Sequence, residues 1–143
     1  MIRFSLFASA CLLLSACDAS VSDDKTVASV CTGMLAGDPE IVDDLAEDGD
    51  SVEVYCACYE TLLAGEPEEA RAKILKVSQI VSDIREENGL GVEDAAGRLM
   101  EDFIEDGSSP AYGVTRGDFD MTGKYIDTVR RELNKTNSAC TES

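Results

Sequence analysis

PEEARAKILKVSQIVSDIREEN, residues 67–88, is the longest helical pattern in the chain. Its apolar residues Ala70, Ile74, Val77, Ile80, Val81 and Ile84 recur at three and four positions, the spacing that lines one face of an α-helix. The opposite face is charged. A helix patterned this way must bury its stripe against something, so its neighbours in sequence decide the fold class. Asn88-Gly89-Leu90 reads as its end, with glycine in the left-handed conformation and leucine folding back.

Outward from that stretch the pattern stays helical. Residues 52–64 place Val52, Tyr55, Cys56, Tyr59 and Leu63 along one side. Further back, Asp38-Pro39-Glu40 reads as a cap, a proline at the first helical position and an acid in the first turn. The helix it opens is short and ends near Gly49. Val27, Cys31, Met34 and Leu35 form another stripe that stops at Gly37. On the far side, residues 92–105 carry Ala96, Leu99, Met100, Phe103 and Ile104; Gly97 weakens that helix by about 1 kcal/mol relative to alanine. Residues 106–117 read as a Gly-, Ser- and Pro-bearing loop. A last helix then carries Tyr125, Ile126, Val129 and Leu133 toward Cys140. No strand alternation of useful length and no repeat is visible. The expected fold is all-α, a small bundle of five to six helices forming one domain over residues 25–143.

The amino end has a different character. One basic residue, Arg3, precedes an apolar run over residues 4–14, and Leu14-Ser15-Ala16-Cys17 closes it with small residues and a cysteine. A run this short is built for export rather than for spanning a bilayer. The four closing residues resemble the lipobox of bacterial lipoprotein precursors. The resemblance covers the leader only. It implies that residues 1–16 are a signal peptide and that Cys17 receives a diacylglyceryl group and an amino-terminal acyl chain such as palmitate. It also implies a cell-envelope address. Three acyl chains, at roughly 0.8 kcal/mol per buried methylene, amount to a permanent membrane anchor. Residues 17–24 would be the lipidated cysteine and a short tether. Asp18 resembles the signal that retains enteric lipoproteins in the inner membrane, which favours its periplasmic face slightly over the outer membrane.

With Cys11 removed in the leader and Cys17 lipidated, four cysteines remain: Cys31, Cys56, Cys58 and Cys140. An even number in an oxidising compartment predicts two disulfides. Residues two apart on a helix point about 200° away from each other, so Cys56 and Cys58 do not bond to one another. Cys31 lies on the stripe of the first helix, and Cys140 extends that of the last. Cys56 and Cys58 should therefore each take one of these two, in either order, pinning the first and last helices to a central one. The chain-entropy relation puts each bond at about 3–5 kcal/mol. In a domain of this size without tryptophan that is a large share of the net stability.

Lys and Arg number 12 against 29 Asp and Glu, a net charge of −17, and loss of Arg3 with the leader makes the chain one unit more negative. Such a balance disfavours nucleic acid, which phosphate repulsion would hold off, and favours a cationic protein partner. Asp43, Asp44, Glu47, Asp48, Asp50 and Glu53 concentrate the acidity around the second helix. Asp118, Asp120 and Thr122, followed by Gly123, partly match a calcium loop; Val129 then stands where the bidentate glutamate belongs. The same three residues serve equally as caps for the last helix.

The chain contains no histidine, so Ser-His and Cys-His catalytic units cannot form. No phosphate loop or dinucleotide fingerprint is present, and no cofactor is expected. The expected role is non-catalytic: a lipid-anchored envelope protein that binds another protein, in the manner of an inhibitor, immunity protein or accessory subunit. The alternative is a thiol–disulfide or metal-handling factor working through Cys56 and Cys58. Against it, the redox motif with a mechanism behind it is Cys-x-x-Cys rather than Cys-x-Cys.

Overall fold

All the helix starts but that of α4 follow from a side chain that accepts from the otherwise unpaired first amides. Thr26 accepts from the Ser29 amide at 3.2 Å and opens α1, Val27–Leu35. Asp38 caps α2, Pro39–Glu47, with proline as its first residue. Ser51 accepts from the Val54 amide at 3.3 Å and opens α3, Val52–Ala64. Pro67 precedes α4, Glu68–Asn88, whose first turn carries Glu68 and Glu69. Helix α5 is Val92–Asp106. Thr115 and Asp118 form a reciprocal capping box at the head of α6, Arg116–Leu133. The computed structural model describes residues 26–106, 108, 109, 111–135 and 140, with the side chains of 104–109 left aside.

The long stripe of α4 is the centre of the core. Ile74, Val77, Ile80, Val81 and Ile84 are buried, and α4 packs against α1, α5 and α6, while α3 packs against α1 and α6. The four helices α1, α3, α4 and α6 thus form the inner body. Helices α2 and α5 lie outside it, α5 resting on α4 through Ala95, Leu99 and Phe103. Where α1 crosses α4, a Cβ added to Gly33 would fall 2.5 Å from the Ser82 hydroxyl, so only glycine permits that approach. Helix α4 stops at Gly89, whose φ of 64° is left-handed, and the Leu90 amide bonds back to the Arg85 carbonyl.

The expectation is a small all-α bundle of five to six helices with two disulfides, and the described residues form six helices and two disulfides. Cys31 bonds Cys56, joining α1 to α3, and Cys58 bonds Cys140. Three expectations need correction. Helix α6 ends at Leu133, so Cys140 lies beyond the helix and its bond joins Cys140 itself, not α6, to α3. The run Asn134-Lys135-Thr136-Asn137-Ser138 explains the stop, because Asn, Ser and Thr side chains compete for backbone partners. Second, α6 begins at Arg116, inside the expected loop. Its N-cap is Thr115; of the three expected capping residues Asp118 does take part, as the reciprocal member of the capping box, whereas Asp120 and Thr122 lie further along the helix. Third, a two-residue antiparallel ladder, β1 Ser108–Ser109 with β2 Val114–Thr115, folds the segment before α6. Two residues are too few to show alternation, and the pair is held from outside: Val114 is buried and Lys76 donates to the Gly113 carbonyl at 2.7 Å. Cys17 and Asp18 lie outside the described residues. Among the described residues no helix is long and apolar enough to cross a membrane.

Candidate functional site

The inner body is closed by polar groups that satisfy one another. Tyr59 is fully buried; its hydroxyl pairs with that of Ser78 at 3.0 Å, and Tyr125 donates to the Tyr59 carbonyl. The two rings meet edge to face at 5.0 Å. Tyr55 donates to the Ile126 carbonyl at 3.2 Å. Burial pushes all three phenols above their ordinary range, so they remain neutral donors.

Asp38 and Arg85 tie the outer helices to this body. Asp38 is 5% exposed and its carboxylate starts two helices at once: Oδ1 accepts from the amides of Glu40 at 3.1 Å and Ile41 at 3.4 Å in α2, and Oδ2 from the Val92 amide at 2.6 Å in α5. The bond from Val92 leads the effects holding its carboxyl below the usual range, against the opposing push of burial. Arg85 lies along the buried stripe of α4 and reaches the carboxyl end of α1, where carbonyls lack helical partners. It donates to Gly33 at 3.0 Å, Met34 at 2.6 Å and Ala36 at 3.4 Å, and its Nε to Leu90 at 3.2 Å. One sign of this is readable in the helical phase. Arg85 falls in phase with Ile74, Ser78 and Val81, a charge on an otherwise buried stripe.

Between the inner body and the outer pair lies an apolar groove in two parts. One cleft, of about 100 Å³, is lined by Leu35, Ile41, Leu45, Tyr55, Asp44 and Arg130 together with Met34, Val92 and Ile126. The second, of about 130 Å³, lies between α4, α5 and α6 and shares Met34, Val92 and Ile126 with the first. Its other walls are Val77, Val81, Ala96, Phe119 and Gly123, with Ser78 and Thr122 presenting only apolar atoms to its floor. Their hydroxyls are engaged elsewhere, Ser78 with Tyr59 and Thr122 with the Asp118 carbonyl at 2.9 Å. Asp44 at the mouth pairs with Arg130 at 3.3 Å. A small gap at the α5–α6 crossing is left by Ala96 and Gly123, and a Cβ on Gly123 would meet nothing within 4 Å.

The acidic residues expected around α2 are on the surface: Asp43, Asp44, Glu47, Asp48 and Glu53 are exposed and Asp50 is half-buried. Val42 and Val54, 41% and 48% exposed, are apolar points among them. The calcium-loop candidates are helical instead. Asp118 turns its carboxylate back to the Thr115 amide at 2.9 Å and hydroxyl at 2.8 Å, with Lys73 at 3.7 Å; Thr122 is buried; Asp120 is exposed. Among the described residues no three Cys, Asp or Glu side chains come together as a metal site. Cys56 and Cys58, 3% and 1% exposed, are bonded to different partners, and Cys140 is the most accessible of the four bridged cysteines. Compared with protein families, with curated proteins and with solved structures, the chain finds no match.

Proposed function

We propose that this is a lipid-anchored protein of the bacterial cell envelope, acylated at Cys17, whose helical domain binds another protein and performs no catalysis. The observation that carries the binding role is the open apolar groove between α6 and the outer pair, set in a strongly acidic surface. Two side-chain-sized clefts over an apolar floor suit anchor residues of a partner, since such pockets concentrate binding energy. The envelope address is supported by the lipobox resemblance and by two disulfides, which persist in oxidising compartments. The acidic surface directs the choice toward a cationic partner and steers its approach.

The test is made in bacterial cells fed an alkyne-tagged palmitate. The wild-type chain is expected to take the label and sediment with membranes, while Cys17→Ala loses both. Label retained by Cys17→Ala, or a wild-type chain in the soluble fraction, refutes the anchor. Site-specific photocrosslinking from the domain surface then tests binding; the reading requires a saturable adduct with one protein.

The accessibility of Cys140 favours a second reading, thiol–disulfide or metal handling that begins at the Cys58–Cys140 bond. Thiol trapping across a graded redox buffer separates the two. A bond that opens at a mild potential while the fold survives supports the redox role; bonds that resist reduction support a scaffold.

A further inference from the structure

We infer that the groove receives a short, cationic, amphipathic helix of the partner protein, laid along α6 with large apolar side chains about seven residues apart. The inference rests on the protein-binding reading and specifies its site and its ligand. Phe119, Gly123, Ile126 and Arg130 form one line on α6, spaced at three and four, and each lines one of the two clefts. Phe119 and Gly123 wall the cleft beside α5, and Ile126 and Arg130 border the one beside α2. The midpoints of these pairs lie seven residues apart on α6, or about 10 Å at 1.5 Å per residue. Two turns of a docked helix cover that distance, so positions i and i+7 fill the clefts and i+3 or i+4 crosses the saddle of Met34, Val92 and Ile126.

The floor explains why the occupant is a helix. The hydroxyls of Ser78 and Thr122 are spent inside the body, and no described buried side-chain polar atom lacks a partner. An extended segment would bring unpaired amides and carbonyls onto apolar walls. A helix brings its backbone already bonded. The rim explains the charge. Asp44 lines the mouth, and helical phase sets Glu93 of α5 and Asp120 and Asp127 of α6 beside the groove line, all exposed. Arg130 and Arg131 already pair with Asp44 and Asp127, which leaves Glu93 and Asp120 to supply the excess negative charge, partly offset by the exposed Lys124 beside Gly123. A lysine or arginine flank on the partner is matched by this rim, whereas an anionic lipid headgroup would face like charge.

The probe is a synthetic 14-residue helix with leucines at i, i+4, i+7 and i+11 and lysines elsewhere, titrated onto the full chain with both disulfides intact. Binding is expected to weaken roughly tenfold in Gly123→Leu, which plugs a cleft. The melting temperature of Gly123→Leu, measured alongside, should not fall, because the added side chain enters open space. Glu93→Lys with Asp120→Lys should weaken binding and flatten its salt dependence. Equal binding of a probe with the same composition but scrambled leucines overturns the inference, as does wild-type affinity in Gly123→Leu. Gly123-dependent binding of phosphatidylglycerol vesicles in place of the helix overturns it in favour of lipid. A cellular crosslink to one protein that maps to the exposed side of α3 removes the groove assignment while leaving the binding role standing.

Discussion

The inner body and the outer pair of helices are held by different chemistry. Helices α1, α3, α4 and α6 meet through apolar stripes, a buried tyrosine network and a disulfide between α1 and α3, with a second disulfide joining Cys140 to α3. Helix α2 buries a single side chain, Leu45, while α5 buries Ala95, Leu99 and Phe103, and the two helices share one capping carboxylate, Asp38. Dispersion contacts and cross-links spread stability over many residues, whereas a shared cap concentrates it in one. Helix α2 should therefore open before the body does, and loss of the shared cap should loosen the first turn of α5 along with it. That is a suitable wall for a groove that admits a partner.

The largest effect should come from the cross-links. Replacing Cys58 and Cys140 by alanine removes a link spanning 82 residues and should cost about 4 kcal/mol; the 25-residue span of Cys31–Cys56 implies about 3 kcal/mol. Urea unfolding measures both. Amide exchange should then quicken in α1, α3, α4 and α6, while α2 and α5 change little. Equal acceleration everywhere would erase the distinction between the two regions.

Next in size is Asp38→Ala, which strips the cap from two helices and should cost about 2 kcal/mol. Exchange should rise at α2 and at the first turn of α5 together and leave the tyrosine-bearing segment of α3 protected. Loosening of α2 alone would show that the shared carboxylate does not couple them. The cap also predicts a pH signature. Because the folded state holds the Asp38 carboxyl below its usual range, its contribution is complete above the unfolded value near ~4 and disappears as pH falls through the lower folded value. Melting curves below about pH 4 should therefore slope less in Asp38→Asn than in wild type.

The smallest effect probes the body itself. Gly33→Ala should destabilise by about 1 kcal/mol, since the clash with the Ser82 hydroxyl outweighs the helical preference of alanine. Adding Ser82→Ala should recover that loss. No recovery would mean that α1 and α4 are kept apart by something other than this contact.

Much of the inner body was legible because its signals are local. The stripe of α4, the Asn88-Gly89 stop and the Asp38-Pro39 start are read within a few residues, and a Cys-x-Cys spacing on a helix already forbids the two cysteines from pairing. What escaped is masked locally or depends on distant residues. Thr115-Arg116-Gly117-Asp118 carries a local capping-box spacing, hidden among the Gly, Ser and Pro that made residues 106–117 read as loop, and Cys140 fits the helical stripe unless the polar run after Leu133 is taken as a stop. The second bond of the Asp38 carboxylate reaches Val92, 54 positions away, and Arg85 finds carbonyls about 50 positions away; the phase of Arg85 on the buried stripe marks it as unusual, but no local pattern names either partner. The groove is harder still, being a space left between helices rather than a property of any one.

Along the chain, the bridged cysteines pair in their order of appearance: Cys31 with Cys56, then Cys58 with Cys140. The two loops follow one another and neither encloses nor crosses the other. On the proposed envelope address, the chain would enter an oxidising space amino end first, with the Cys17 sulfur taken up by its lipid. Cys56 then emerges to find a single thiol waiting, and Cys58 stays solitary until Cys140 arrives. An oxidant that joins thiols first come, first served makes both native bonds, and the slower chemistry of reshuffling wrong ones is never called on.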